Sequence, residues 1–324
     1  VETSEASLNY VEISLSVLRR FNRALQFDVY VKRTENDFTK IFKQGDSIDW
    51  ERVKLYENKG IKFFFVSEKD YQLYTLHVER LGENLTGFGK DFTADEAADL
   101  LKELANHTLN EITTNLKVDE RAAANSSNVV EAGIASLAKD PKNFVRVMKL
   151  MVNQTYSLKH ALAVSMLSVL LARQAGVESE ANLRVIGLGG FLHDIGESQL
   201  TFDPESEKNL TAEQRKELWR HPELGKQMID GVRSIRSEVG QIILQHHEQP
   251  NGHGYPNGLK GGEIYYPAKI VAVADTFAAM ISRRQYRESL NISEALMNMK
   301  EMSGKYDRQL LEAFSKMMSP VQDN

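Results

Sequence analysis

Residues 183–196 read LRVIGLGGFLHDIG, an apolar run that ends in a histidine and an aspartate. Apolar side chains at three- and four-residue spacing over Leu183–Leu192 predict a helix. Leu188, Phe191 and Leu192 set the following His193–Asp194 pair against apolar text rather than on a solvated face. The same helical spacing recurs at Val129–Leu137, Phe144–Met151, Leu158–Leu171 and Ile264–Ile281. Within it His160 stands among Leu158, Ala161, Val164 and Leu167, and Asp275 sits inside IVAVADTFAAM. A lone carboxylate is costly to bury as an ion in such surroundings.

Histidine is scarce and unevenly placed: of eight, six fall between His160 and His253, the others being His193, His221, His246 and His247. Taken singly, a histidine on an apolar helix is more often a hydrogen-bonded core residue than a ligand. A single buried aspartate more often pairs with an arginine. Taken together, five histidines (160, 193, 221, 246, 247) and two aspartates (194, 275) on consecutive helices offer mixed imidazole–carboxylate ligation. That donor set suits first-row divalent ions. It also exceeds what one ion takes, so two ions are the natural count, an arrangement that recurs in phosphoester hydrolysis.

The first 90 residues have a different texture. Val11–Leu18 and Phe27–Lys32 carry the β-branched and aromatic residues of short strands, and Ile61–Val66 predicts a buried strand after Asn58–Gly60. Trp50, Val53 and Tyr56, with Leu55, predict a short helix over Ile48–Tyr56. Thr93-Ala-Asp-Glu96 has the form of a capping box opening a helix through Leu100, Leu101, Leu104 and Ile112. The expected architecture is therefore α+β: a small mixed α/β domain over 1–90, a linker helix over 91–125, and an all-α bundle over 126–324. The first domain shows no catalytic constellation and is expected to sense a signal or dock a partner.

Composition bounds the rest. A chain of 324 residues has room for two cores. A net charge of −5 argues against a nucleic-acid coat or a polybasic membrane anchor, so neither DNA, RNA nor membrane is expected as a partner. With no cysteine, disulfides, iron–sulfur clusters and zinc–thiolate sites are excluded. No apolar run approaches the ~18 residues of a membrane span, and VETSEASLNY lacks the basic and apolar regions of a signal peptide. A cytoplasmic location is the expectation.

The segments FLHDIG (191–196), HPELG (221–225), HHEQPNGHGYPNGLKG (246–261) and KIVAVADTFAAMISRRQYR (269–287) closely resemble, in order and spacing, the HD-GYP domain. The resemblance implies an HD-type helical bundle that hydrolyses cyclic di-GMP to pGpG or GMP. It assigns His160, His193, Asp194, His221, His246, His247 and Asp275 as ligands of two divalent ions, iron or manganese foremost, zinc or nickel also acceptable. Asp194 would be the bridging carboxylate at the catalytic centre. Gly254, Tyr255 and Pro256 form the signature loop, a substrate contact and a docking point for GGDEF-domain proteins. Glycines 252, 254 and 258 are expected to relieve backbone restriction there. Arg284 and Arg287 match positions whose cations grip substrate phosphates, a task that suits guanidinium forks.

Four residues depart from the family pattern. Glu197 stands where a lysine usually follows HDIG, Tyr156 where three-metal members carry a glutamate, Ala278 for an aspartate, and Lys269 for an arginine. Two metals rather than three are therefore expected. The departures also motivate an alternative: a catalytically weak or inactive relative that senses nucleotide or docks a partner. A phosphohydrolase acting on another nucleotide is a third reading, against which the GYP loop weighs.

Overall fold

The computed structural model describes residues 9–18, 20, 24–34, 37–59, 61, 64–85, 93–140, 142–145, 155–206, 209–283, 288–302 and 304–318. The chain divides into two compact units, Val1–Leu104 and Ala105–Asn324. No helix among the described residues is long and apolar enough to cross a membrane.

The first unit is built on a four-stranded antiparallel sheet of order β1-β4-β2-β3: β1 (Tyr10–Ile13), β2 (Val29–Thr34), β3 (Asp37–Phe42) and β4 (Phe64–Ser67). Alternation decides its faces: Val29 and Val31 are buried while Tyr30 between them is only half so. Helices α1 (Leu15–Leu18), α2 (Trp50–Asn58) and α3 (Tyr71–Leu85) join it, with α4 (Ala94–Asn115) contributing Leu100, Leu101 and Leu104 to the core. Tyr74 ties these layers: its hydroxyl accepts from the Ser14 backbone at 3.0 Å and donates to Glu103 at 3.2 Å.

The expected strand over Val11–Leu18 ends at Ile13, because Ser14 gives its N–H to Tyr74 and the chain turns into α1. Strand β3 (DFTKIF), with only an interrupted apolar alternation, and helix α3 were not anticipated. The capping box at Thr93 is present: Glu96 N–H reaches Thr93 Oγ1 at 3.2 Å, and Thr93 N–H reaches Glu96 at 2.9 Å.

The second unit is helical, as expected. Beyond α4 it runs through α5 (Glu120–Lys139), α6 (Tyr156–Gln174), α7 (Glu180–Leu192), α8 (Ala212–Leu218), α9 (His221–Ile229), α10 (Ser237–Gln245), α11 (Tyr266–Ile281), α12 (Ile292–Glu301) and α13 (Arg308–Met318), with a 3-10 turn at Ile195–Gln199. Residues 146–151 of the expected Phe144–Met151 helix lie outside the described residues. Helix α11 starts at Tyr266 rather than Ile264, with Pro267 in its first turn, where a missing N–H costs nothing. Helices α6, α7 and α11 pack on one another at the centre, and α5, α10 and α13 cover them. Ser165 of α6 donates to the Gly187 carbonyl of α7 at 2.8 Å, an uncommon polar pin inside an apolar contact. That central trio positions four of the candidate donors, His160 and Asp275 within helices and His193 and Asp194 directly after α7.

Candidate metal centre

Five helices deliver seven donors. His160 lies on α6 and Asp275 on α11; His193 and Asp194 follow the last residue of α7; His221 opens α9; His246 and His247 follow α10. The structure gathers all seven. His160, His193 and Asp275 form one group, and Asp194, His221, His246 and His247 form another, with donor atoms inside each group within 4.8 Å of one another. Asp194 faces both. Its Oδ2 lies 2.9 Å from His193 Nε2 and 3.6 Å from His160 Nε2, while Oδ1 lies 3.3 Å from His221 Nε2 and 3.5 Å from His246 Nε2. Asp275 closes the far side, 3.1 Å from His160 Nε2 and 3.9 Å from His247 Nδ1. His253 stands outside both groups, exposed in the loop.

The tautomers follow from the backbone. The Nδ1 atoms of His193, His221 and His246 sit 2.8, 2.7 and 2.7 Å from the carbonyls of Gly190, Leu218 and Ile243. A carbonyl only accepts, so each Nδ1 carries hydrogen, and in the neutral ring each Nε2 presents a lone pair inward. His221 and His246 then point lone pairs at each other across 3.2 Å, a repulsive contact unless a cation or proton lies between. His193 Nε2 is buried, and although Asp194 is close, the approach is off the line that a hydrogen bond requires. Inward lone pairs with Nδ1–H held from behind are the arrangement that divalent-ion sites use. The donor set therefore fits such ions.

In the metal-free site a proton on His193 answers the carboxylates in place of an ion. Burial pushes the His193 imidazolium toward neutrality, yet the Asp194 and Asp275 carboxylates more than reverse this, raising it to about 9. Burial works against the Asp194 carboxylate, but the nearby His193, together with His221 and His246, holds it well below the usual carboxylate range. Asp275 is likewise driven down, against burial, chiefly by His160. Burial, with the charge His246 and His221 would bring if protonated, lowers His247.

Both groups border a cavity of about 370 Å³, whose wall also carries Tyr156, Glu197, Arg215 and Tyr255. Tyr156 stacks on His160 with centroids 5.1 Å apart and its hydroxyl 3.4 Å from His160 Nδ1. The 3-10 turn that carries Glu197 packs on α9. Gly196 makes this approach possible, since a Cβ there would overlap the His221 carbonyl oxygen. Ala278 is fully buried on α11, and Lys269 pairs with Asp307 at 3.5 Å.

In the signature loop, Gly252 and Gly258 have φ of +80° and +66°, as expected for glycine. Gly254 serves differently: a Cβ would come within 2.5 Å of Glu248 Cα and the His247 carbonyl oxygen, so it is close approach that requires glycine. Pro256 follows Tyr255 through a cis bond. Tyr255 stands 4.7 Å from the His247 ring. Burial and the carboxylates of Asp194, Asp275 and Glu197 raise its phenol well above the ordinary value. Arg284 and Arg287 lie outside the described residues.

Two residues that matter here were not anticipated. Glu248, buried directly after the histidine pair, accepts from the backbone of Asn257 at 2.7 Å and Leu259 at 2.9 Å, holding the loop shut. Trp219 stacks on Tyr255 at 5.6 Å while remaining 51% exposed. Neither belongs to an apolar period, so only their proximity to histidine in sequence could have drawn attention to them.

Comparison with known proteins agrees with this geometry. The HD domain family model matches residues 146–310. A cyclic di-GMP phosphodiesterase of Pseudomonas aeruginosa is 34% identical over 195 residues, covering 60% of this chain and 47% of that protein. The cyclic di-GMP phosphodiesterase response regulator RpfG of Xanthomonas campestris is 36% identical over 150 residues, covering 44% and 39%. The chain thus spans less than half the length of either relative. A solved structure of an HDGYP protein from Bdellovibrio bacteriovorus shares the fold over 96% of this chain and 99% of that one, with a TM-score of 0.69 at 22% identity. With the family model matching half of the sequence and the histidine–aspartate groups assembled as described, the chain belongs to the HD-domain family.

Proposed function

We propose that this protein is a metal-dependent phosphodiesterase that hydrolyses cyclic di-GMP to pGpG, GMP or both. The observation that carries the proposal is Asp194, whose two oxygens face two separate histidine groups. In this reading His160, His193 and Asp275 would hold one ion and His221, His246 and His247 the other, with Asp194 facing both. When bound, such ions, iron or manganese by preference, would supply an acidified water and neutralise charge on the phosphoryl oxygens. The chain's own residues do the rest. The Nδ1–H bonds of His193, His221 and His246 to backbone carbonyls fix the ring planes before substrate arrives. Tyr255, held as a neutral phenol, keeps a proton donor at the cavity wall near the phosphate. Arg284 and Arg287 grip the phosphates, and the Gly254–Pro256 loop doubles as a docking point for a GGDEF-domain protein.

The test is a metal count with turnover measured in the same preparation. Protein purified without chelator should carry two ions per chain and convert cyclic di-GMP to pGpG or GMP, and chelation should stop it. Two ions with tight cyclic di-GMP binding and no turnover would replace the enzyme with a nucleotide sensor. Glu197, a carboxylate on the cavity wall, is the observation that favours this second reading.

A further inference from the structure

The cavity beside the two histidine groups has an unusual balance of charge. Its described lining carries the carboxylates Asp194, Glu197, Glu205 and Asp275, and one residue of the lysine–arginine class, Arg215. Arg215 sits on α8, and Trp219, the residue that closes that helix, lies four positions later and hence on the same face. Helix α8 is firmly set. Thr211 and Gln214 form its capping box, and Glu217 accepts from both the backbone and hydroxyl of Thr201, at 2.6 and 2.9 Å.

The rings form a ladder leading outward. His247 belongs to a histidine group, Tyr255 stands 4.7 Å from it, and Trp219 stacks on Tyr255 at 5.6 Å with planes 24° apart. Tyr255 is half-buried, whereas Trp219 is 51% exposed. An indole clamped on one side and left open toward water is a flat apolar surface ready to take another ring. Bases stack on such surfaces regardless of their edge pattern, and a guanidinium one helical turn away meets phosphate with matched geometry.

We infer that α8 is the nucleotide-recognition wall of this site, with Trp219 stacking a nucleobase and Arg215 holding a phosphate. This rests on the cyclic dinucleotide reading for its substrate, but the stacking claim can be tested without turnover. The chain has two tryptophans, so Trp50→Phe leaves Trp219 as the only indole reporter. Titrating that variant with cyclic di-GMP and with GMP should quench its fluorescence, whereas ribose 5-phosphate, which has no base, should not. In kinetics, Trp219→Ala should raise KM for cyclic di-GMP about tenfold or more with kcat and metal content little changed. Trp219→Phe should recover most of the loss. Arg215→Gln should weaken inhibition by inorganic phosphate about fivefold or more.

No quench with either nucleotide, or quench by ribose 5-phosphate equal to that by GMP, would overturn the stacking role. An unchanged phosphate inhibition constant would overturn the role of Arg215. Quenching by GMP in a protein that never hydrolyses cyclic di-GMP would sink the proposed reaction while leaving the recognition wall in place.

Discussion

At the level of single residues, Asp194 is the side chain on which the site turns. Asp194→Asn keeps its size and removes the charge that both histidine groups face. Metal content should fall to one ion or none per chain, and kcat should drop by about a thousandfold or more, as elemental analysis and chromatographic turnover would show. Retention of two ions would refute the bridging role. Glu197 tests the departure from the family pattern. A carboxylate ~4 Å from a phosphate is repelled by roughly 1–4 kcal/mol at effective dielectrics from water to a protein surface. Glu197→Lys should therefore lower KM for cyclic di-GMP at least about fivefold, and an unchanged KM would mean that the side chain turns away from substrate. The seven donors were legible from residue type and order, since buried histidine in apolar helical text needs a reason. Glu248 and Trp219 were not, because their roles come from a backbone loop and a ring stack that sequence spacing does not encode.

Titration adds a prediction about the metal-free protein. His193 is raised from its ordinary 6.5 to about 9, so its contribution to stability is full below pH ~6.5 and is lost as pH rises through 9. Asp194 is depressed, so its contribution is present above the unfolded carboxylate value near ~3.9 and is lost as pH falls toward its folded value. In chelator, the melting temperature should fall between pH 6.5 and 9.5, and the fall should be much smaller in His193→Gln. A parallel fall in both proteins would show that other groups are responsible.

Among elements, the 3-10 turn after α7 decides whether the two histidine groups meet. It carries Gly196 against the first turn of α9, and a methyl group there meets backbone rather than a yielding side chain. Gly196→Ala should cost about 1–3 kcal/mol or more, as overpacking does, and should reduce metal affinity by separating Asp194 from His221. Thermal unfolding in chelator measures the first effect and metal titration the second. A variant as stable as the parent would show that α9 can shift. Helices α5, α6, α7 and α11 were legible because their apolar period is unbroken. Strand β3 and helix α3 were not. Lys40 interrupts the apolar pattern of β3, and the helical period of α3 rests on Tyr71, Tyr74 and Val78, two of them tyrosines that also suit a strand.

For the molecule as a whole, the donors come from five helices that contact one another mainly through apolar side chains. Ions bound to the folded state alone stabilise it by about 2.7 kcal/mol at a hundredfold excess over their dissociation constant. Removing them with chelator should lower the melting temperature by several degrees, and readdition of manganese or iron should restore it. A melting temperature indifferent to chelator would mean that the donors are organised without ions. The α+β architecture was readable because sheet and bundle differ in texture, the first in alternation and the second in helical period. The detailed order of the sheet was not, since pairing of distant strands depends on contacts that no local pattern contains.

His193, His221 and His246 each stand just beyond a helix end and donate to a carbonyl within its last turn, at Gly190, Leu218 and Ile243. Those carbonyls have no partner within the helix itself. Each of the three is thus a helix terminator as well as a donor, and losing it would expose a backbone group whether or not an ion is present. A relative that bound no metal would still be held to these histidines by folding alone. Their persistence in such a lineage would then record the architecture of the bundle rather than the survival of its chemistry.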